Sequence, residues 1–157
     1  MRMKTFILLS AVPGAGKSTW AENYQKEHQH VFIVSSDEIR KEVSGVYQNW
    51  DHEDKVWDLY FKRIILFRDK YDDVTVIADS TNLQNKFRLF YGTNVKGFDK
   101  KILLILDKPL DVALKQNLLR SEDKIVPEDV IRSMYQRFEQ PNQEVIDAFD
   151  EIARIKK

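Results

Sequence analysis

The sequence contains no cysteine, which excludes disulfide bridges and metal sites built on thiolates. No apolar run approaches the ~20 residues that a membrane-spanning helix needs. The N-terminal stretch MRMKTFILLSAV is too short, and too soon followed by a glycine-rich loop, to be a signal peptide. We therefore expect a cytoplasmic protein with no membrane partner.

Glycine and proline are also scarce, with five and four residues, and neither sign of charge is in excess. Because no linker divides the 157 residues, we predict a single domain over residues 1–157. The 25 Lys and Arg residues balance the 25 Asp and Glu residues. Zero net charge argues against broad nonspecific binding along nucleic acid, which rests on neutralising many phosphates. It leaves binding of one strand end open.

Short runs of Val, Ile and Leu alternate with stretches that carry apolar residues at helical spacing. This alternation predicts an α/β fold, a doubly wound parallel sheet of four to five strands with helices on both faces. The tryptophans and most other aromatic residues fall on apolar faces, so we expect them in the core rather than stacked on bases. The predicted strands are Thr5–Leu9, Val31–Val34, Val74–Ala78, Ile102–Leu106 and, more weakly, Ile152–Ile155.

The stretch SAVPGAGKSTW resembles a phosphate-binding loop, G-x-x-x-x-G-K-[ST], with Ala11 in place of the first glycine. A predicted strand leads into it and a predicted helix follows, so backbone N–H groups and the helix N-terminus can point at a phosphate. Lys17 would neutralise the β- and γ-phosphates, and the Ser18 hydroxyl would bind Mg²⁺. The expected ATP-binding residues are Pro13, Gly14, Ala15, Gly16, Lys17, Ser18 and Thr19.

Alanine at position 11 is compatible with this loop if its φ angle stays negative. A positive φ would cost alanine on the order of 1 kcal/mol relative to glycine. Pro13 fixes its own φ and favours an extended Val12. We therefore expect the loop to bind its nucleotide.

The second predicted strand runs into SSDEIRKEV, where Ser35 and Glu38 have the spacing of a capping box. Asp37, just past the strand, is a candidate general base that takes the proton of an attacking hydroxyl. Arg40 lies on the same helix face and is a candidate for binding an anionic acceptor. The alternative is a helix start with an Asp37–Arg40 ion pair on the surface.

Two further residues complete the candidate site. Asp79 ends the third hydrophobic strand, in the place of a carboxylate that holds Mg²⁺; the alternative is a buried helix cap. The charged segment LLRSEDKIVPEDVIRSMYQRF joins two predicted helices and would bring Arg120 to the transferring phosphoryl group as a lid. A solvated connector is the alternative there.

Together PGAGKSTW, SSDEIR, DSTNL and KIVPEDVIRSMY resemble the kinase domain of phage-type polynucleotide 5′-hydroxyl kinases, within the P-loop kinases. The resemblance implies a P-loop NTPase kinase fold with a helical lid and phosphate transfer from ATP with Mg²⁺. It also implies Lys17, Asp37 and Arg120 as catalytic residues, Arg40 as a contact of the acceptor's 3′-phosphate, and Ser18 and Asp79 as metal ligands.

The chain departs from that family at Ala11, at Gln116, where the phage enzyme carries a further arginine, and in lacking a D-x-D-G-T phosphatase segment. Besides a 5′-hydroxyl nucleic-acid end, two alternatives stay open. One is a kinase of a small hydroxylated molecule such as a nucleoside or antibiotic. The other is an ATP-binding switch or ATPase without an acceptor, which the base-like Asp37 disfavours.

Overall fold

The computed structural model describes residues 2–156 and contains one parallel sheet. Its spatial order is β2-β3-β1-β4-β5, so the first strand lies in the centre. The five-strand doubly wound architecture predicted from the sequence is confirmed, and each strand run matches its prediction within two residues. The strands are β1 Lys4–Ser10, β2 Val31–Ser35, β3 Val74–Asp79, β4 Lys100–Leu106 and β5 Glu151–Ile155.

Helices cover the sheet and connect successive strands. Six of them follow the apolar patterns of the sequence, and the short seventh was not predicted. The sixth helix begins at Glu128, one residue after the start at Pro127 that the sequence suggests, and Pro127 is its N-cap. The helices are α1 Lys17–Glu27, α2 Ser36–Ser44, α3 Glu53–Arg68, α4 Asn85–Asn94, α5 Leu110–Leu118, α6 Glu128–Gln136 and α7 Gln143–Ala148, with a 3-10 turn at Glu122–Lys124.

The central strand contributes to two hydrophobic cores, one on each face of the sheet. Phe6 and Leu8 point into the core that contains Tyr60, whereas Ile7 and Leu9 point into the core that contains Ile131. All six side chains are nearly inaccessible to solvent. Burial on both faces explains why the strand sequence is continuously apolar rather than alternating.

The aromatic residues do not all lie in these cores, and here the sequence-based expectation is wrong. Trp50, Phe87 and Phe90 are 56%, 46% and 50% exposed. Leu118, at the end of α5, is 69% exposed. Helical spacing therefore identified the helices but not which of their apolar residues are covered by a neighbour.

Polar residues at the carboxyl ends of neighbouring strands lie side by side along one edge of the sheet. β2 and β3 run parallel with Ser35 opposite Asp79, and β3 pairs on its other side with the central strand. Ligands of doubly wound sheets bind at this edge, where the chain order reverses. Across the described residues, no helix is both long and apolar enough to span a membrane.

Candidate active site

The loop between β1 and α1 has the backbone of a phosphate-binding loop. Gly14 and Gly16 have φ angles of 86° and 95°. Residues other than glycine rarely adopt such positive φ angles. A Cβ atom on Gly14 would lie 2.2 Å from the carbonyl oxygen of Ala113. This glycine is therefore required twice, by its own conformation and by the close approach of α5.

Ala11 occupies the first position of the loop without backbone strain. Within residues 2–156, His30 and Asn82 are the non-glycine residues with positive φ, so Ala11 has an ordinary conformation. Its side chain is buried, and its N–H group donates to the carbonyl oxygen of Thr81 at 2.9 Å. The condition under which alanine can replace glycine here is met.

Lys17, Ser18 and Asp79 lie together at the start of α1. The Ser18 hydroxyl donates to Oδ2 of Asp79 at 3.0 Å, and the Lys17 ammonium donates to the Val12 carbonyl at 3.4 Å. Burial lowers the pKa of Lys17 and raises the pKa of Asp79, and each charge partly offsets the shift of the other. Burial thus disfavours the charged forms of both groups. A bound phosphate would stabilise the charged Lys17, and a bound cation would stabilise the charged Asp79.

A hydroxyl and a carboxylate oxygen at hydrogen-bond distance match the hard oxygen ligands that Mg²⁺ prefers. Magnesium commonly uses one or two protein oxygens and keeps several waters. Consistent with this sparse ligand set, no group of three or more His, Cys, Asp or Glu residues arranged to hold a metal ion occurs within residues 2–156. Ser18 and Asp79 therefore fit a magnesium ion that ATP would share.

Asp37 reaches the same place from the neighbouring strand. Ser35 ends β2 and caps α2 by accepting from the Glu38 N–H at 3.3 Å, which puts Asp37 in the first helical turn. Its side chain is half exposed. Asp37 Oδ1 lies 2.8 Å from Arg40 Nη1, and Oδ2 lies 4.0 Å from Arg120 Nη2.

Arg120 follows α5 in the lid, which we define as residues 110–136. The buried Asn117 side chain holds the lid together, because its amide donates to the Val126 carbonyl at 2.7 Å and accepts from the Val126 N–H at 3.0 Å. The lid also contacts α2, where Lys124 Nζ is 3.5 Å from Glu38 Oε1. The charged segment is thus folded against the site.

A cleft of about 660 Å³ connects these elements. It collects most of the residues that the sequence assigned to the site; Pro13, buried in the loop, and Arg40 do not line it. Leu106, Leu119 and Ile155 contribute apolar lining to the cleft. The assigned residues that line it are Gly14, Ala15, Gly16, Lys17, Ser18, Thr19, Asp37, Asp79 and Arg120.

The sequence pattern of a family described as AAA domain matches residues 7–141, most of the chain. This chain belongs to the AAA domain family. An L-seryl-tRNA(Sec) kinase of Methanococcus maripaludis is 27% identical over 147 residues, covering 86% of this chain and 52% of the relative. The chain thus spans about half the length of that curated relative.

Solved structures with low sequence identity share the fold. Kti12 of Chaetomium thermophilum, in complex with ADP-AlF3, superposes with a TM-score of 0.69 and 17% identity over 96% of this chain and 88% of its own. A chain of the Pnkp1/Rnl/Hen1 RNA repair complex superposes with a TM-score of 0.72 and 18% sequence identity. The match covers 96% of this chain and 47% of that chain. This AAA domain therefore has the α/β fold of P-loop kinases.

Arg40 of the AAA domain lies deeper than an ion pair on the surface would. It is 5% exposed, and its guanidinium lies 4.1 Å from the centre of the Trp50 ring. Nε donates to both carboxylate oxygens of Glu53, Nη2 donates to Glu53 Oε1 at 2.8 Å, and Nη1 donates to Asp37. Three of its five N–H groups are thus used within the domain.

Sequence reasoning missed Glu53, Trp50, Lys124 and Asn117. Asn117 carried a signal, since it is a polar residue at a position of α5 where the spacing calls for an apolar one. The other three carried none, because their roles depend on contacts with Arg40 and Glu38 across the α2–α3 segment and the lid.

A buried polar network lies beneath the phosphate loop. Asn82, with φ of 42°, donates from its amide to the Leu9 carbonyl at 2.8 Å and to Ser80 Oγ at 2.7 Å. The Tyr60 hydroxyl shares a hydrogen bond with that same serine, and burial raises the pKa of Tyr60. The network fixes the segment after Asp79 against the strand that carries the loop.

Proposed function

We propose that this AAA domain transfers the γ-phosphate of ATP to the 5′-hydroxyl end of a polynucleotide. The observation that carries the proposal is the position of Asp37. Its half-exposed carboxylate lines the same cleft as the phosphate loop and is approached by two arginines. A carboxylate in that position can accept the proton of a hydroxyl that attacks the γ-phosphorus.

On the donor side, the loop backbone and Lys17 would bind the β- and γ-phosphates of ATP. Ser18 and Asp79 would hold magnesium, which neutralises charge on those phosphates when it is bound. The apolar walls at Leu106, Leu119 and Ile155 would contact the nucleobase. The kinase-type loop of the family and its fold support this half of the proposal most directly.

On the acceptor side, Asp37 would take the proton of the hydroxyl as the hydroxyl oxygen bonds to the γ-phosphorus. The bond from that phosphorus to the bridging oxygen breaks, and ADP leaves with the bonding pair. Arg120, which lines the cleft, would stabilise the charge that develops on the transferring group. We assign Arg40 to a phosphate of the acceptor, through the two N–H groups not used on Glu53 and Asp37.

The similar proteins are divided by name, since an L-seryl-tRNA(Sec) kinase and a chain of an RNA repair complex concern RNA, whereas a gluconokinase concerns a small molecule. We infer an RNA-linked acceptor from the L-seryl-tRNA(Sec) kinase, which is similar in sequence. The neutral net charge of the chain fits an acceptor held at its end rather than along its length. Transfer to a small hydroxylated molecule is the competing outcome of the test.

The test is incubation with γ-labelled ATP and a matched panel of acceptors: 5′-hydroxyl oligoribonucleotides and oligodeoxynucleotides, nucleoside 3′-monophosphates and plain nucleosides. We expect label in the oligonucleotides. Label in nucleosides alone would indicate a small-molecule kinase, and release of free labelled phosphate alone would indicate an ATPase. The Asp37→Asn protein, assayed in parallel, controls for a contaminating kinase.

Arg40→Ala sharpens the test of the acceptor. A charge-assisted contact with a phosphate is worth roughly 1.5–3 kcal/mol, so KM for a nucleoside 3′-monophosphate should rise about ten- to a hundredfold. KM for ATP should change little. Because Arg40 also holds Asp37, kcat should fall for every acceptor, and the informative quantity is the ratio between the monophosphate and the plain nucleoside. An unchanged ratio would contradict the role of Arg40.

A further inference from the structure

Trp50, in the segment between α2 and α3, is unusually exposed for its residue type. Its exposed fraction is 56%, although one face of its indole ring covers the Arg40 guanidinium at 4.1 Å. The exposed surface therefore consists of the opposite face and the ring edges. Exposing a large aromatic face to water forfeits the stabilisation that its burial would give.

The ring is held in a fixed place. Arg40 is anchored by Glu53 and Asp37, and its guanidinium lies 5.5 Å from the ring centre of Trp57. Trp57 in turn packs edge-on against the buried Tyr60. The outer face of Trp50 thus belongs to a continuous stack of side chains that begins in the core.

A single guanidinium separates this ring from the Asp37 carboxylate, because Arg40 contacts both. A nucleotide whose 5′-hydroxyl reaches Asp37 carries its base one sugar away from that carboxylate. Aromatic side chains stack on nucleobases with little dependence on sequence. An aromatic face beside the acceptor position is therefore placed where the first base of a strand would lie.

We propose that Trp50 is the stacking platform for the terminal nucleobase of the acceptor. The proposal rests on the function proposed above and extends it, since it assigns the base, as well as the hydroxyl and phosphate, to a residue of this chain. The competing role is purely structural: Trp50 would only cover Arg40. That role predicts the same change for acceptors with and without a terminal base, because it acts only through Arg40.

The experiment compares two oligonucleotides that differ in the 5′-terminal residue, one with a base and one abasic, each ending in a 5′-hydroxyl. Trp50→Ala should raise KM for the intact acceptor about five- to a hundredfold, the usual worth of one base–aromatic stack. It should leave KM for the abasic acceptor within about twofold of the native value, since that acceptor has no base to lose. Trp50→Phe keeps an aromatic face, so its KM should stay close to the native value for both acceptors.

Two further variants separate stacking from covering. Trp50→Leu keeps an apolar cover over Arg40 without an aromatic face, and it should behave like Trp50→Ala. Phe87→Ala is the matched control, because Phe87 is also an exposed aromatic beside a cation, but that cation is Lys86 of α4 and not Arg40. Phe87→Ala should leave KM unchanged for both acceptors.

An unchanged or lower KM in Trp50→Ala, or an equal rise for the intact and abasic acceptors, would overturn the platform. Failure of the proposed function gives a different result, namely that the native protein labels neither oligonucleotide. In that case the protein has no polynucleotide acceptor, and the reason for proposing a stacking face is also lost. Phosphorylation of both oligonucleotides by the native protein with equal KM would refute the platform while leaving the function intact.

Discussion

Replacing Arg88 by methionine should strongly destabilise this domain, although Arg88 touches no part of the cleft. The side chain is fully buried and makes four hydrogen bonds. Nε donates to the Asn82 carbonyl at 2.9 Å and Nη2 donates to Ser10 Oγ at 2.9 Å. Nη1 donates to the Glu139 carbonyl at 2.7 Å and to Asn85 Oδ1 at 3.0 Å. One residue thus joins β1, the segment after β3 and the chain that follows the lid.

The expected size follows from these contacts and from the opposing penalty for burying a charge. Burial lowers the pKa of Arg88 to about 10, so at neutral pH the guanidinium is charged and the fold bears part of its desolvation. Breaking a buried charged network commonly costs about 3–5 kcal/mol. Methionine also removes the desolvated charge, so we expect a loss of about 2–4 kcal/mol in the free energy of unfolding. For a domain of this size that corresponds to a Tm lower by about 5–15 °C.

Thermal unfolding followed by circular dichroism measures this shift. Arg132→Met is the matched control, because Arg132 forms an exposed pair with Glu128 four residues earlier on α6. Such a pair is worth about 0.3–0.5 kcal/mol, or about 1–2 °C. Arg88→Lys keeps the charge but not the planar fork, and it should also lose most of the stability. A Tm for Arg88→Met within the range of the Arg132→Met control would refute the reasoning.

The remaining predictions concern the cleft and are measured by steady-state kinetics on variants whose Tm is near the native value. Lys17→Ala should abolish transfer while the protein stays folded, because the ammonium offsets phosphate charge and belongs to neither core; near-normal turnover would contradict its assignment. Asp37→Asn should keep ATP binding and lower kcat by about 10²–10⁴-fold, and a parallel collapse of ATP affinity would remove its role as base. Arg120→Ala should act on kcat, and Arg120→Lys should restore only part of it; full rescue would reduce Arg120 to a general positive charge.

The three central strands, β1, β3 and β4, could be predicted because each contains a continuous apolar run that is largely buried on both faces of the sheet. The missed helix α7 illustrates the limit of that signal. It has six residues, and Val145 is the one fully buried among them. Its start depends on the Asn142 side chain, which accepts from the Val145 N–H at 3.0 Å. A single cap and a single buried residue are too little for a periodic pattern.

The same contrast separates the two halves of the candidate site. The donor half consists of a contiguous loop and the end of one strand, so spacing alone could identify Lys17, Ser18 and Asp79. The acceptor half depends on contacts across the chain. Arg40 was selected because it shares a face of α2 with Asp37, but its burial follows from Glu53 and Trp50, which lie 13 and 10 residues further on. Helical spacing describes neighbours within one helix and carries no information about such partners.

The acceptor half is also continuous with the lid, and this continuity bears on how acceptor choice is encoded. Gln48 donates to the Ile125 carbonyl at 2.7 Å, and the Tyr47 ring lies between the ammonium groups of Lys41 and Lys124 at 4.6 and 4.8 Å. The segment that carries Trp50 and the segment that carries Arg120 therefore contact each other without involving the phosphate loop. We therefore expect substitutions in either segment to affect the proposed acceptor side more than the phosphate loop, whose glycines are fixed by their φ angles. The acceptor that we propose is thus tested most directly at Trp50 and its neighbours rather than in the loop.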